Sequence, residues 1–322
     1  MIFAFFALIA SKVQLGLTEE RQFVQWMRTN SQFYTGDEYH LRLGIFITNA
    51  RYVQQFNQRA DRTFRLAINK FSCHTPAEYQ ALLGVTGSPL AKRERQPITT
   101  RKSDVPDSID WREKGLVTRV RTQGACAAGW AISAVTTAET AYAIHNGTLL
   151  EFSEQNIVDC AYGSGCSGGW PEDAIDYVLR NQNGKFNSPV DYPYTQQFGS
   201  CKFSFDVAIG RINRKQYSEA YSEESLKESV GTLGVASICL SAGNAQFMQY
   251  SGGILDDDLC EGARIDHAAA AVGYGTEDGV DYWIVKNCFG TDWGEEGYVR
   301  MIRNKNNRCR LADNAFVAID EW

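Results

Sequence analysis

Nine cysteines and four histidines are the residues of this chain best suited to nucleophilic, acid–base or metal chemistry. The histidines stand at 40, 74, 145 and 267, and none has zinc-type spacing to free cysteines. No glycine-rich nucleotide-binding loop is present either, so neither a metal nor a cofactor is expected. The cysteines are Cys73, Cys126, Cys160, Cys166, Cys201, Cys239, Cys260, Cys288 and Cys309. So many favour an oxidising compartment. Six of them alone would allow fifteen pairings, and counting does not choose among these.

The elements that must position such residues follow from the rest of the chain. Its 322 residues suffice for about two domains. A hydrophobic share of 44% and a charged share of 22% are those of a globular protein, not of a collagen-like or low-complexity chain. The formal charge of −6 argues against nucleic acid as a partner. The apolar run from Ile2 to Ala10 is far short of the roughly 20 residues a spanning helix needs. It reads as the core of a secretory signal ending near residue 15, although no Lys or Arg precedes it.

Charge is unevenly spread. Residues 1–103 carry 14 Lys and Arg against 7 Asp and Glu, and residues 104–322 carry 18 against 31. A basic front segment and an acidic body should attract each other. Ser88 to Asp104, with Lys92-Arg93-Glu94-Arg95, Pro89 and Pro97, lacks apolar periodicity and reads as an exposed, protease-sensitive linker. From Glu38 the series Arg42, Ile45, Phe46, Asn49, Val53, Asn57 falls on one stripe of a helix. Phe64 to Phe71 alternates like a strand. Trp130 to Asn146 is Ala-rich and helix-like, and Gly-punctuated strand patterns dominate after residue 205.

The Glu38–Asn57 series resembles the interspersed motif in the prosegment of cathepsin L-type cysteine peptidases. The family's following Gly-x-Asn-x-Phe-x-Asp pattern reads Ala67, Asn69, Phe71, Cys73 here, so two of four positions depart. The body resembles the papain-like peptidases along nearly all its length. Pro106–Arg112 is similar to the mature start, Ser153–Cys160 and Gly165–Gly169 to the middle motifs, and Asp266-His267-Ala268, Tyr282–Asn287 and Trp293–Tyr298 to the C-terminal half. The resemblance implies an α+β fold: a helical L domain and a β-rich R domain with a cleft between them, preceded by a helical inhibitory prosegment. The expected divisions are a signal over 1–15, the prosegment over 16–103 and the peptidase domain over 104–322. Disulfides Cys126–Cys166, Cys160–Cys201 and Cys260–Cys309 are implied, leaving Cys73, Cys239 and Cys288 free.

Papain-like hydrolysis needs a thiolate at a helix N-terminus, an imidazole beside it, an Asn to orient that ring, and a Gln amide with a backbone N–H for the oxyanion. By the resemblance Gln123 supplies the amide, His267 stands at the base position and Asn287 at the orienting position. The nucleophile position holds Gly129, in Gln-Gly-Ala-Cys-Ala-Ala-Gly-Trp. Beside Asn287 the family's Ser-Trp reads Cys288-Phe289, a smaller shield for the His–Asn bond. Cys126 is committed to a disulfide, and Cys288 could face the cleft. The room left by the missing side chain could hold a His-activated water.

The resemblance further implies a peptide-binding cleft. Gly168 and Gly169 would pair with an extended peptide, and Trp170, Pro171, Ile265, Asp266, Ala268 and Asn314 match positions around the main specificity pocket. Asn146-Gly147-Thr148 is a glycosylation sequon. The expected protein is a catalytically inactive cathepsin L-like homologue, a monomer in a secreted, lysosomal or vacuole-like compartment. It would bind extended peptides, cystatin-like inhibitors or its own prosegment. The alternatives are an active cysteine endopeptidase, if glycine at 129 departs from the native residue, and a structural protein for which the cleft is irrelevant.

Overall fold

The computed structural model describes residues 17–85, 105–163 and 165–321. The signal-like start and the stretch from Ser88 to Asp104 lie outside these. No described helix is long and apolar enough to cross a membrane.

The front segment contains a helix over 17–29 (α1) and a second, α2, over Gly36–Asn57. Of the apolar members of the α2 stripe, Phe46 and Val53 are buried and Ile45 is half-buried; Phe56, outside the stripe, is buried with them. Phe23 and Trp26 of α1 pack on Phe46 with centroids 5.5 and 6.0 Å away. The polar members of the stripe bind the returning chain. Arg42 donates to both carboxylate oxygens of Glu78 at 2.6 Å and to the Cys73 carbonyl at 2.8 Å. Asn49 donates to the Ser72 carbonyl at 2.9 Å. Asn57 donates to the Leu66 carbonyl at 2.8 Å and accepts the Leu66 N–H at 3.0 Å. Spaced about two turns apart, these side chains line one face and meet the end of the returning strand at Leu66 and the turn after it at Ser72 and Cys73.

Strand β1 covers Phe64–Leu66 only, shorter than the alternation predicts. Beyond it Asn69 bends the chain: its Oδ1 accepts the Phe71 N–H at 2.9 Å and its N–H donates to Ser72 Oγ at 2.8 Å. Such local side-chain bonds compete with a ladder. Helix α3, Pro76–Ala81, follows through a capping box of Thr75 and Glu78.

The body runs β2 (Ile109–Asp110), α4 (Gly129–Asn146), α5 (Glu154–Cys160), α6 (Pro171–Asn181), β3 (Lys185–Asn187), β4 (Ala208–Arg211), β5 (Arg214–Tyr217), α7 (Glu223–Thr232), β6 (Ala236–Leu240), α8 (Ala245–Met248), β7 (Tyr250–Leu255), β8 (His267–Glu277), β9 (Val280–Lys286), β10 (Tyr298–Ile302) and β11 (Ala315–Ile319). Most helix therefore precedes residue 205 and most strand follows it. The main sheet is ordered β1-β7-β10-β9-β8-β6-β11-β5, with β2 also on β8. Its edge strand β1 comes from the front segment and runs antiparallel to β7. Arg62–Asp258 at 3.1 Å and Lys70–Asp292 at 2.7 Å join the basic front to the acidic body. Cys126–Cys166, Cys160–Cys201 and Cys260–Cys309 are bonded, across sequence separations of 40, 41 and 49.

Candidate active site

Three pieces of backbone converge on the cleft. The first is the start of α4. This helix is Ala-rich and buried over most of its length, so it can pass through the core, and it stops at Gly147 in a left-handed conformation (φ 72°). Gly129 is its first residue. The second is the segment bearing Gln123. Arg121 pins it to the side of α4, its guanidinium buried against Glu139 (Nη1 to Oε2 3.1 Å) and Glu154 (3.3 Å). The third is the β8–β9 hairpin. His267 opens β8 and Asn287 follows β9, so antiparallel pairing closes a gap of 20 residues.

His267 Nε2 lies 2.8 Å from Asn287 Oδ1, and both residues are buried. That Oδ1 also accepts the Cys288 N–H at 2.8 Å, which fixes the amide with its oxygen toward the ring. The other ring nitrogen, Nδ1, lies 3.1 Å from the Leu83 carbonyl. Both ring nitrogens thus face acceptors. An imidazolium could donate to both and a neutral ring to one. Burial pushes the His267 pKa below its ordinary value, against the raising effect of the Asn287 and Leu83 bonds. A thiolate would offset that burial, and none is here. Phe289 stacks on the imidazole at 5.0 Å, backed by Phe71 at 4.9 Å and Trp293 at 5.5 Å. The smaller ring thus shields the His–Asn pair with help from its neighbours.

The room at Gly129 is not open. A Cβ there would lie 3.1 Å from the Ala268 carbonyl oxygen and 3.2 Å from both Cys288 Sγ and His267 Cε1. The place in which a water was expected is bordered by the Cys288 sulfur. This thiol is buried, and burial pushes its pKa well above the ordinary value. It donates to Gln123 Oε1 at 2.9 Å and stands 3.9 Å from His267 Nε2. Cys73 and Cys239 also lie outside the three disulfides and are buried; burial pushes the Cys73 thiol up to about 12.

Residues 82–85 of the front segment fill the cleft, a feature the sequence reading missed. Gln123 Nε2 donates to the Leu82 carbonyl at 2.6 Å. Gly169 N–H donates to the Gly84 carbonyl and Val85 N–H to the Asp266 carbonyl, both at 2.9 Å. Gly84 has φ +77°, and a Cβ there would fall 2.4 Å from the Ala127 carbonyl oxygen. A glycine after Leu82-Leu83 was the available signal. Gly168 rests against this segment for the same reason, since a Cβ there would meet the Gly84 carbonyl at 2.1 Å, while a Cβ on Gly169 would meet the Trp130 ring behind it at 2.8 Å.

Gln123, Gly129, Gly168, Gly169, Asp266, His267, Ala268 and Asn287 thus gather around one short segment. Trp170 caps α6 and Pro171 opens it. Ile265 is half-buried, and Asn314 is buried with its carbonyl accepting the Cys239 N–H at 3.1 Å. The Asn146 amide is exposed but engaged, donating to Tyr142 O and to Asp320 Oδ2 at 2.8 Å.

This arrangement of a helix start, a Gln amide and a His–Asn pair between two lobes is that of a cysteine peptidase cleft. Residues 105–319 match the papain family of cysteine proteases and residues 23–79 the cathepsin propeptide inhibitor domain, so the chain belongs to the papain family and carries a cathepsin-type propeptide. It is 38% identical over 299 residues to a cathepsin L-like proteinase of Fasciola hepatica, covering 90% of each chain. It is 37% identical over 288 residues to digestive cysteine proteinase 1 of Homarus americanus, covering 87% of this chain and 88% of that one. Digestive procathepsin L2 from the larval midgut of Tenebrio molitor superposes with a TM-score of 0.86 at 33% identity, over 94% of this chain and 99% of that one.

Proposed function

We propose that this cathepsin L-like chain binds peptides without cutting them. One observation carries the reading: Gly129 stands at the head of α4 where the chemistry needs a thiolate. Glycine cannot form an acyl-enzyme. In a comparable hydrolase, loss of the nucleophile costs about 10⁶ in kcat. The remaining parts suit a binder. Gln123 acts as the amide of the oxyanion pocket, His267 and Asn287 as the former base and its orienter, and Gly168, Gly169 and Asp266 as backbone partners. Trp170, Pro171, Ile265, Ala268 and Asn314 act as pocket walls.

The ligands are extended peptides, cystatin-like inhibitors and the chain's own propeptide, and the protein acts as a monomer. Three disulfides support a secreted or lysosome-like setting. We take the functional divisions to be 1–15, 16–103 and 104–322, with cleavage between Ser88 and Asp104 freeing the cleft.

The test cleaves the full chain in that stretch with an added protease, inactivates the protease, and offers a fluorogenic Phe-Arg peptide. The expected result is no hydrolysis, no labelling by an epoxide thiol probe, and saturable binding of an uncleaved extended peptide. Hydrolysis that disappears in His267→Ala would overturn the reading.

A further inference from the structure

We propose that Cys288 is a positioning residue of this cleft. Its thiol sets the Gln123 amide so that Nε2 meets a bound backbone carbonyl, and its sulfur takes the room that a nucleophilic thiol at 129 would need. The proposal rests on the reading of the cleft as a peptide-binding site.

A glutamine amide is two-faced, with an acceptor oxygen and a donor nitrogen that can exchange places. In the cleft one orientation is selected. Cys288 Sγ lies 2.9 Å from Gln123 Oε1, and a protonated thiol can only serve that oxygen as a donor. Nε2 is thereby turned to the Leu82 carbonyl, 2.6 Å away. The two residues are also tied through the backbone, Gln123 N–H donating to the Cys288 carbonyl at 2.8 Å. Cys288 is not a relocated nucleophile. The ring nitrogen nearest its sulfur, His267 Nε2 at 3.9 Å, is already bonded to Asn287 Oδ1, and that oxygen is held by the Cys288 N–H. Nε2 therefore carries the proton of that bond and has no lone pair for the thiol proton.

The second half of the proposal is geometric. A Cβ at 129 would stand 3.2 Å from Cys288 Sγ. In a disulfide, one Cβ and the far sulfur are about 3 Å apart, given the S–S length and an ordinary bond angle. A thiol at 129 would sit in bonding reach of Cys288. The two thiols would lose two protons and two electrons to an oxidised disulfide reagent, which leaves as two thiols. Glycine at 129 and cysteine at 288 therefore belong together: with Cys288 present, a second thiol is captured before it can serve as a nucleophile.

The experiment uses the full chain and two readouts. Gly129→Cys and the double variant Gly129→Cys/Cys288→Ser are refolded in a glutathione redox buffer and mapped by mass spectrometry. The single variant should carry a bond between positions 129 and 288 and resist an epoxide thiol probe. The double variant should be labelled at 129. A free, labelled thiol at 129 in the single variant would overturn the steric half.

Hydrogen exchange tests the amide half without any new thiol. Cys288→Ala should speed exchange of the Val85 and Gly169 amides about fivefold, one hydrogen bond's worth. Cys288→Ser, which keeps a donor, should stay near the parent chain, and the amides of β8 and β9 should not change. Equal exchange in all three chains, or a uniform rise across β8 and β9, would overturn it. These readouts do not depend on whether the freed cleft binds or cuts added peptide, so failure of the binding reading would show separately.

Discussion

Two regions of the molecule hold the same stretch of chain, and both do so through its backbone. On one side, Arg42, Asn49 and Asn57 of α2 bind the carbonyls of Cys73, Ser72 and Leu66. On the other, Gln123, His267 and Gly169 meet those of Leu82, Leu83 and Gly84. The first set folds the propeptide on itself; the second docks its tail in the cleft. Backbone recognition ignores most side chains in what it holds; Glu78, paired with Arg42, and Gly84, pressed on Ala127, are the exceptions. They differ in dependence. The expected dependence runs one way: loosening α2's hold on the returning chain should free the tail, whereas emptying the cleft should leave α2 in place.

That one-way dependence can be broken at several points. Arg42→Ala removes the bonds to Glu78 and to the Cys73 carbonyl. Bonds to charged groups are each worth roughly 1.5–3 kcal/mol. With the Glu78 side chain 41% exposed, a loss of about 2–3 kcal/mol is expected for the whole set after screening. Urea unfolding should show the propeptide melting earlier, and hydrogen exchange should show the Val85 amide losing protection with it. Retained protection at Val85 would break the dependence. Gly84→Ala acts on the cleft alone. It forces a positive φ on a side-chain-bearing residue, about 1–2 kcal/mol, and drives a methyl into the Ala127 carbonyl. Val85 should then exchange freely while the circular dichroism of α1 and α2 is unchanged. Asn57→Ala loses both bonds to Leu66, about 1 kcal/mol net. It should lower the propeptide's urea midpoint modestly and leave the cleft occupied in most molecules.

How far each region could be read from sequence follows from the same contrast. The α2 stripe was legible because Arg42, Asn49 and Asn57 repeat with the helical period, and local periodicity survives in a single sequence. The length of β1 was not, because Asn69 bends the chain while apolar residues of the sequence recur beyond Leu66 at Ile68 and Phe71. In the cleft, the positions of Gln123, Gly129, His267 and Asn287 were legible through family resemblance. Their occupation by residues 82–85 was not: carbonyl oxygens carry no residue code, and Gly84 was the one position whose type hinted at a close approach. The fate of the room at Gly129 depends on the Cys288 rotamer, which no spacing rule reports.

Acid separates the two regions by a smaller effect of definite sign. Arg42 holds the Glu78 carboxyl down at about 2, from an ordinary value of 4.5. A depressed carboxylate stabilises the fold above its unfolded value, and that contribution is lost as pH falls from about 4.5 toward 2. His267 is depressed too, by burial, from 6.5. A buried neutral imidazole resists protonation, so its contribution is present above 6.5 and lost as pH falls below it. On acidification the cleft should therefore loosen first and the α2 anchor later. Exchange at Val85 should rise below pH 6.5 while the propeptide's urea midpoint holds until about pH 4.5. Glu78→Gln should flatten the lower step without moving the upper one. A single step shared by both readouts would mean that the two regions titrate as one unit, and that the dependence between them runs both ways.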